Sequence, residues 1–397
     1  MRKLAPRDLE IGMITTEPVI TPSGQTLAPE RSVVTRQLIN RMKLYRIPYA
    51  IVEGEDTQAD ISAEASSVTS KPEPEPSPQE PANVPADSPQ PTQKVPKTHA
   101  EESKTHSQKV AASSEFRDFQ IQYIQAISQM KLSFSAAIQE NRPIDAEVLL
   151  SSVSDLFRSR STIAELFDML FNMRALTDSV YAHCLNVALI SRMIGRWLKY
   201  ERHDLDVLTL AGLLHDIGKL MIPTEILNKP GALSDEEFAK IKEHPKLGYE
   251  ILKRQTTLDS RIRKAALMHH ERCDGSGYPT GLTEDFIDNY AMIVAIADVY
   301  DAMTAARSYR SPMCPFEVIS CFERDGFQKY HTRYIVTFLK QIATTYQSNR
   351  VILSDGRGCN IVMINPNALS RPIVQFDDNT CLDLSTAGSD LYIKAVM

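Results

Sequence analysis

Residues 55–115 interrupt the chain with a segment that cannot build a core of its own. Within it, the stretch 71–97 carries nine of the chain's 23 prolines and almost no large apolar side chains. Burial of so little apolar surface cannot offset the entropy lost when a chain is ordered. We therefore predict an extended linker, partly in the polyproline-II conformation, with folded units on either side of it.

The folded units differ in the period of their apolar residues. Short β-prone segments around a Pro-Ser-Gly turn, followed by apolar residues at helical spacing, predict a small α/β module at the N-terminus. Helical spacing then continues for more than half of the chain, and strand-like segments follow Val351. The predicted fold class is mainly α, with these parts: an α/β module (1–54), the linker (55–115), a helical lead-in (116–175), a helical bundle (176–346) and a small β-rich region (347–397).

Charge and composition exclude several classes of partner. The net charge is −6 and the sequence pI is about 5.9, so no overall basic field would attract DNA, RNA or an anionic membrane. The longest apolar run, 291–297, is far shorter than the roughly 20 residues that span a bilayer. No signal peptide is recognisable, and the six cysteines form no CxxC pair. We therefore predict a cytoplasmic protein with reduced thiols.

Histidines and aspartates in the helical part form the chemical signal of this chain. Five of the nine histidines fall there in a recognisable order together with two aspartates. They are His183, His215, Asp216, His244, His269, His270 and Asp298. Imidazole and carboxylate ligands suit Mn, Fe, Zn, Co or Ni. Taken singly, each has an ordinary explanation, since a lone buried histidine is usually a hydrogen-bonded core residue. Their joint occurrence and order favour a metal site.

Local sequence explains how several of these residues could meet. Ala211 and Gly212 are small, so another backbone can approach the helix that ends at His215. Asp216 follows where this helix gives way to Gly218, and its carboxylate could bridge two cations, which imidazole rarely does. Asp298 lies on an apolar helix face, where an unpaired charge is costly.

The residues around His244 predict a break between two helices. Pro245 restricts the conformation of His244, which precedes it. Ser234-x-x-Glu237 predicts a capping box at the start of the helix before the break. After His269 and His270, the glycines and proline in "CDGSGYPTGL" predict a compact loop.

Together these motifs resemble the HD-GYP family, a branch of the HD metal-dependent phosphohydrolase superfamily. The matching elements are His183, "HDIGK" at 215–219, "EHP" at 243–245, "HHERCDGSGYP" at 269–279 and "IADVYDAMTAARSYR" at 296–310. The resemblance covers about residues 175–345 and implies an HD-type helical bundle. The segment "DLEIGMI…PSG" is similar to a module found before some HD-GYP domains.

The resemblance implies hydrolysis of cyclic di-GMP to pGpG or GMP by hydroxide formed at two divalent transition-metal ions. Iron and manganese come first among the expected metals, ahead of zinc, cobalt and nickel. One ion would be bound by His183, His215, Asp216 and Asp298, and the other by Asp216, His244, His269 and His270. Lys219 and Asp216 would act in catalysis. Arg307, Arg310, Tyr278 and Gly277 would contact substrate, and Asp301 would support a ligand without binding metal itself.

One departure from the family bears on metal count. Some members bind a third metal through a glutamate four residues before the first histidine, and here that position is Ser179. We therefore expect two metals.

Two other functions stay open at this point: a catalytically weak or inactive receptor for cyclic di-GMP, and a hydrolase for another phosphoester or cyclic dinucleotide. Contacts with other signalling proteins through the Gly-Tyr-Pro loop or the N-terminal module, and a homodimer, are further expectations.

Overall fold

A computed structural model describes residues 2–20, 26–44, 47–53, 110–158, 163–174, 179–229, 231–305 and 313–397. The predicted mainly α fold class is confirmed. Residues 54–109, which include most of the predicted linker, lie outside the described residues. The linker and the domain boundaries drawn from it therefore stay predictions.

The N-terminal module combines four short strands with one helix. Strand β1 (Arg2–Leu4) pairs antiparallel with β4 (Ala50–Val52), and β2 (Val19–Ile20) pairs with β3 (Thr26–Ala28). Helix α1 (Arg36–Leu44) buries Leu38 and Met42. These elements share a core of their own, which also includes Leu27 and Val34.

Helices make up most of the described chain after residue 110. In order they are α2 (Ser114–Gln139), α3 (Ala146–Arg158), α4 (Ile163–Arg174), α5 (Val180–Trp197), α6 (Arg202–Leu214), α7 (Thr224–Leu227), α8 (Asp235–Ile241), α9 (His244–Lys253), α10 (Ser260–Met268), α11 (Asn289–Thr304), α12 (Pro315–Cys321), α13 (Phe327–Lys329) and α14 (Thr332–Thr345). Two 3-10 helices, Ile217–Met221 and Glu284–Phe286, and a π-helical turn, Phe322–Gly326, lie between them.

The centre of the bundle is the packing of α5 against α6 and α11. Nearly all of α5 is buried, and its apolar residues belong to one cluster that runs from Phe116 to Ile393. At Gly212, an added Cβ would lie 2.6 Å from the Cα of Ala188. The predicted close approach of another backbone to α6 is therefore confirmed, and it brings the end of α6 against α5.

The predicted helix break at His244 is also confirmed. Helix α8 ends at Ile241, and α9 begins at His244 with Pro245 in its first turn, where a missing N–H costs nothing. Ser234 and Glu237 form the predicted capping box: the Glu237 carboxylate accepts from the Ser234 backbone N–H at 2.8 Å, and the Ser234 hydroxyl accepts from the Glu237 N–H at 3.2 Å.

The C-terminal region forms a five-stranded antiparallel sheet. Its strands are β5 (Arg350–Leu353), β6 (Gly358–Met363), β7 (Ile373–Phe376), β8 (Cys381–Asp383) and β9 (Ile393–Val396), in the spatial order β8-β7-β6-β5-β9. The strand-like sequence segments 351–356, 359–366, 371–378 and 391–396 predicted four of these strands, whereas β8 was not predicted. Glu323, in the π-helical turn of the bundle, contacts the segment between β6 and β7, because its carboxylate accepts from the Leu369 N–H at 2.7 Å.

Among the helices of the described ranges, none combines the length and the apolar character that a membrane crossing requires.

Candidate metal centre

Five separate helix segments bring the seven predicted ligands to one place. His183 lies in the first turns of α5, and Asp298 lies within α11. His215 and Asp216 directly follow α6, and His244 opens α9. His269 and His270 directly follow α10. A helix end can project two consecutive side chains into one cavity, which explains the His-Asp and His-His pairs.

The ligand atoms form two groups. One potential ligand atom from each of Asp216, His244, His269 and His270 lies within 4.8 Å of the others in its group. The same holds for the second group, His183, His215 and Asp298. All seven side chains are buried or nearly so, and His183, with 18% of its side chain exposed, is the most accessible.

Hydrogen bonds fix the tautomers of four of the histidines. The Nδ1–H groups of His215, His244 and His269 donate to the backbone carbonyls of Gly212 at 2.8 Å, Ile241 at 2.6 Å and Ala266 at 3.0 Å. His183 donates from Nδ1 to Asp301 at 2.8 Å instead. In each ring Nε2 is therefore turned toward the centre of the site and can bind a cation once it carries no proton, which is the usual arrangement of a metal-binding histidine.

Unpaired acceptors show that this cavity fits cations. Among the described residues, His215 Nε2 and Asp216 Oδ1 are buried and have no hydrogen-bond partner. His244 Nε2 and His269 Nε2 lie 3.2 Å apart, and both are acceptors in the tautomers just described. Buried acceptors that face one another are costly unless a positive group lies between them. The donor set, imidazole with carboxylate, suits divalent transition-metal ions.

Asp216 lies between the two groups of ligands. Its Oδ1 is 3.2 Å from His244 Nε2 and 3.5 Å from His269 Nε2. Its Oδ2 is 3.4 Å from His215 Nε2 and 3.5 Å from His183 Nε2. Each carboxylate oxygen thus faces a different group, which is the geometry that a bridging ligand needs.

Lys219 is one turn beyond Asp216 in the 3-10 helix. Its ammonium donates a hydrogen bond to Asp216 Oδ2, and 21% of its side chain is exposed. Burial lowers the pKa of Lys219, but the charges of Asp216 and Asp298 outweigh burial and raise it. The ammonium is therefore charged at neutral pH and lies beside the ligand cluster.

The two aspartates carry negative charge at neutral pH. Burial raises the pKa of Asp216, but His215 and Lys219 outweigh it and hold this pKa well below its usual range. The pKa of Asp298 is also held well below that range, mainly by the hydrogen bond to His183 and the charge of His270 against the effect of burial. Two ionised carboxylates within a buried cluster of histidines attract cations strongly.

Two histidines of the cluster titrate in opposite directions. Burial lowers the pKa of His183, but the hydrogen bonds and charges of Asp298 and Asp301 outweigh it and raise this pKa to about 10. Burial, with the charge of His215, lowers the pKa of His269 to about 4.

The rim of the site is formed by Tyr278. Its ring stacks on His270 with centroids 4.6 Å apart and an angle of 25° between the planes. His270 in turn lies 3.8 Å from Asp298 Oδ2 through Nδ1. An aromatic ring at this place can contact a bound substrate while it keeps the imidazole in position.

Gly277 is required by close backbone packing. An added Cβ would lie 2.4 Å from the backbone N of Arg272 and 2.5 Å from the carbonyl oxygen of His270. Its predicted contact with substrate stays a prediction.

Gly218 is still more confined than Gly277, since an added Cβ would lie 2.0 Å from the carbonyl oxygen of His244. This contact seats the turn after Asp216 directly against α9.

Glu271 holds the Gly-Tyr-Pro loop, a role that sequence reasoning missed. Its buried carboxylate accepts three backbone N–H groups, from Thr280 at 2.8 Å, Gly281 at 3.0 Å and Leu282 at 2.9 Å. The signal available in the sequence was an acidic residue directly after two predicted ligands and before a loop rich in free N–H groups.

Replacing Glu271 with glutamine is expected to lower the free energy of unfolding by about 1–3 kcal/mol, because the loop loses charge-assisted hydrogen bonds. Urea denaturation measures this change. Glu284→Gln is the matched control, since its side chain is 31% exposed and only a 3.7 Å pair with His331 is at stake. Equal stability of the two variants would contradict the role given to Glu271.

Four further positions from the sequence analysis differ in outcome. Asp301 lies behind His183 and accepts its Nδ1–H, as a supporting residue would. Ser179 is the N-cap of α5, and its hydroxyl accepts from the Ala182 N–H at 3.2 Å. Arg307 and Arg310 lie outside the described residues, so their substrate contacts stay predictions.

Comparisons with known proteins show which proteins this chain is similar to. Residues 149–330 match the HD domain family. The cyclic di-GMP phosphodiesterase PA4108 of Pseudomonas aeruginosa is 41% identical over 140 residues, which is 35% of this chain and 34% of that protein. A cyclic di-GMP phosphodiesterase of Thermotoga maritima is 36% identical over 179 residues, or 45% of this chain and 48% of that protein. The 3'3'-cGAMP-specific phosphodiesterase 2 of Vibrio cholerae is 40% identical over 155 residues, or 38% of this chain and 30% of that protein.

The chain thus spans less than half the length of each of these relatives. The matched family region begins at residue 149, within the segment predicted as a helical lead-in.

Proposed function

Since residues 149–330 match the HD domain family and the metal-ligand candidates follow the HD-GYP order, we propose that this chain is a metal-dependent phosphodiesterase that hydrolyses cyclic di-GMP. The observation that carries the proposal is the convergence of seven imidazole and carboxylate groups, with buried acceptors on His215 and Asp216 that no donor in the described ranges satisfies. The names of the relatives supply the substrate class.

The two groups of ligands support a pair of cations, with Asp216 between them. His183, His215 and Asp298 would hold one ion, and His244, His269 and His270 the other. When bound, such ions activate water and stabilise the charge that develops on phosphate oxygens. Iron or manganese come first among the candidates, and zinc, cobalt and nickel fit the same donors.

The remaining residues would orient the substrate. The Lys219 ammonium, charged and beside Asp216, would bind the scissile phosphate and stabilise the transition state by its charge. The Tyr278 ring, fixed on His270, would contact the bound nucleotide. Arg307 and Arg310 would grip the second phosphate.

A second substrate is favoured by a specific similarity. The 3'3'-cGAMP-specific enzyme of Vibrio cholerae is as similar over its match as the cyclic di-GMP enzyme of Pseudomonas aeruginosa. A receptor without turnover also keeps the ligand set, and the test below separates all three cases.

The test is to incubate metal-loaded protein under reducing conditions with cyclic di-GMP and, separately, with 3'3'-cGAMP, and to identify the products. Conversion of cyclic di-GMP to pGpG or GMP, abolished by prior removal of metal, is expected. Faster cleavage of 3'3'-cGAMP would transfer the proposal to that substrate. Tight binding of cyclic di-GMP without any product would overturn the enzyme in favour of the receptor. The cytoplasmic location, the homodimer and protein partners remain predictions.

A further inference from the structure

A buried hydrogen-bond network of polar side chains connects helix α2 with the metal centre. The Tyr123 hydroxyl donates to Asn186 Oδ1 at 2.7 Å, with the Ala182 carbonyl oxygen as a second, more distant acceptor at 3.1 Å, and Asn186 Nδ2 donates to Asp301 Oδ1 at 3.0 Å. The other oxygen of Asp301 accepts the Nδ1–H of His183 at 2.8 Å. Tyr123, Asn186 and Asp301 are at most 3% exposed, so solvent does not compete for these hydrogen bonds.

Each hydrogen bond of the network fixes the orientation of the next side chain. The amide of Asn186 can present only its oxygen to Tyr123 and only its nitrogen to Asp301, because a carboxylate accepts and does not donate. Asp301 is thereby held with one oxygen committed to Asn186 and the other to His183. The His183 ring keeps its proton on Nδ1 and directs Nε2 toward Asp298, 3.0 Å away, and Asp216. Partners of this kind orient a ligand and strengthen its basicity.

The hydrogen-bond network begins at a residue outside the matched HD domain. Tyr123 is on α2, whereas the HD domain match begins at residue 149. The other three members, Asn186, Asp301 and His183, lie within it. Helix α2 also packs on α5, where the Phe134 ring lies 5.8 Å from the Tyr181 ring, so the hydroxyl of Tyr123 is presented by a buried helix face.

We propose that Tyr123 is a positioning residue for the metal centre: through Asn186 and Asp301 it fixes the His183 ring, so that cation affinity depends on a helix that precedes the HD domain. This inference rests on the proposed metal-dependent function.

The test compares Tyr123→Phe with Tyr334→Phe. Phenylalanine keeps the ring and removes only the hydroxyl. Tyr334 is the matched control, because it is also buried and its hydroxyl donates to an asparagine side chain, Asn289, at 2.9 Å, away from the metal ligands. Cobalt(II) is the probe: a competing chelator gives its dissociation constant, and its visible absorption reports the geometry of the ligands.

Tyr123→Phe is expected to weaken cobalt(II) binding about threefold to tenfold and to change the absorption bands, while Tyr334→Phe leaves both unchanged. Asn186→Asp, which places a second carboxylate against Asp301, is expected to weaken binding more. Melting temperatures of the metal-free variants separate this effect from general loss of stability.

Unchanged cobalt(II) affinity in Tyr123→Phe and Asn186→Asp would overturn the inference alone. Equal weakening in Tyr123→Phe and Tyr334→Phe would also overturn it, since both would then report stability. A wild-type protein that binds no cobalt(II) would overturn the metal centre itself and this inference with it.

Discussion

Asp216→Asn is expected to abolish hydrolysis of cyclic di-GMP and metal binding together. The side chain keeps its size, but one oxygen becomes an amide nitrogen that cannot bind a cation, and the negative charge is lost. Because Oδ1 faces His244 and His269 while Oδ2 faces His215 and His183, either orientation of the amide removes a ligand from one group. Since loss of an outer partner alone costs about 10–100-fold, loss of this ligand should lower kcat/KM by more than about 100-fold.

Asp206→Asn is the control for Asp216→Asn. Asp206 is on helix α6, which ends just before His215, is 29% exposed and pairs with Arg192 at 2.7 Å, outside the cluster. Metal content by mass spectrometry and turnover should both stay at the wild-type level in this variant. Retention of full metal content in Asp216→Asn would show that Asp216 does not bridge the two groups.

Lys219→Ala is expected to separate catalysis from metal binding. The ammonium is not a ligand, and its removal takes positive charge away from the cluster, so the cations should bind at least as well. The phosphate loses a charged contact in the transition state, which is worth about a hundredfold to a thousandfold in kcat. Steady-state kinetics on cyclic di-GMP, with metal analysis of the same sample, measure both quantities.

Lys229→Ala is the matched control for Lys219→Ala. Lys229 forms an ion pair with Glu237 at 2.6 Å on the surface, and such pairs contribute little. Wild-type turnover in Lys219→Ala would mean that the lysine serves only to neutralise Asp216.

The fold was predictable where the local pattern and the packing agree. The small residues Ala211 and Gly212 predicted the close contact of another backbone with α6, and Ser234 with Glu237 predicted the capping box. Strand β8 was missed because Cys381–Asp383 is too short to show a period of two. Helix α4 was not distinguished within the lead-in, since apolar helical spacing there is continuous with its neighbours.

The site was predictable at the level of residue types and their order, but not of their support. Five histidines and two aspartates could be named from the sequence, and the structure brings all seven together. The role of Glu271 depends on three N–H groups that come within reach only when the loop folds back. Likewise, Tyr123 precedes Asn186 by 63 positions, so only the packing of α2 on α5 reveals that they meet.

The most direct measurement is the metal content of anaerobically purified protein, determined by mass spectrometry alongside its activity on cyclic di-GMP. Two transition-metal ions per chain are expected, with hydrolysis lost on their removal and regained on their return. Fewer than two ions in fully active protein, a stoichiometric third ion, or hydrolysis that persists without metal would contradict a pair of cations held by the seven ligands.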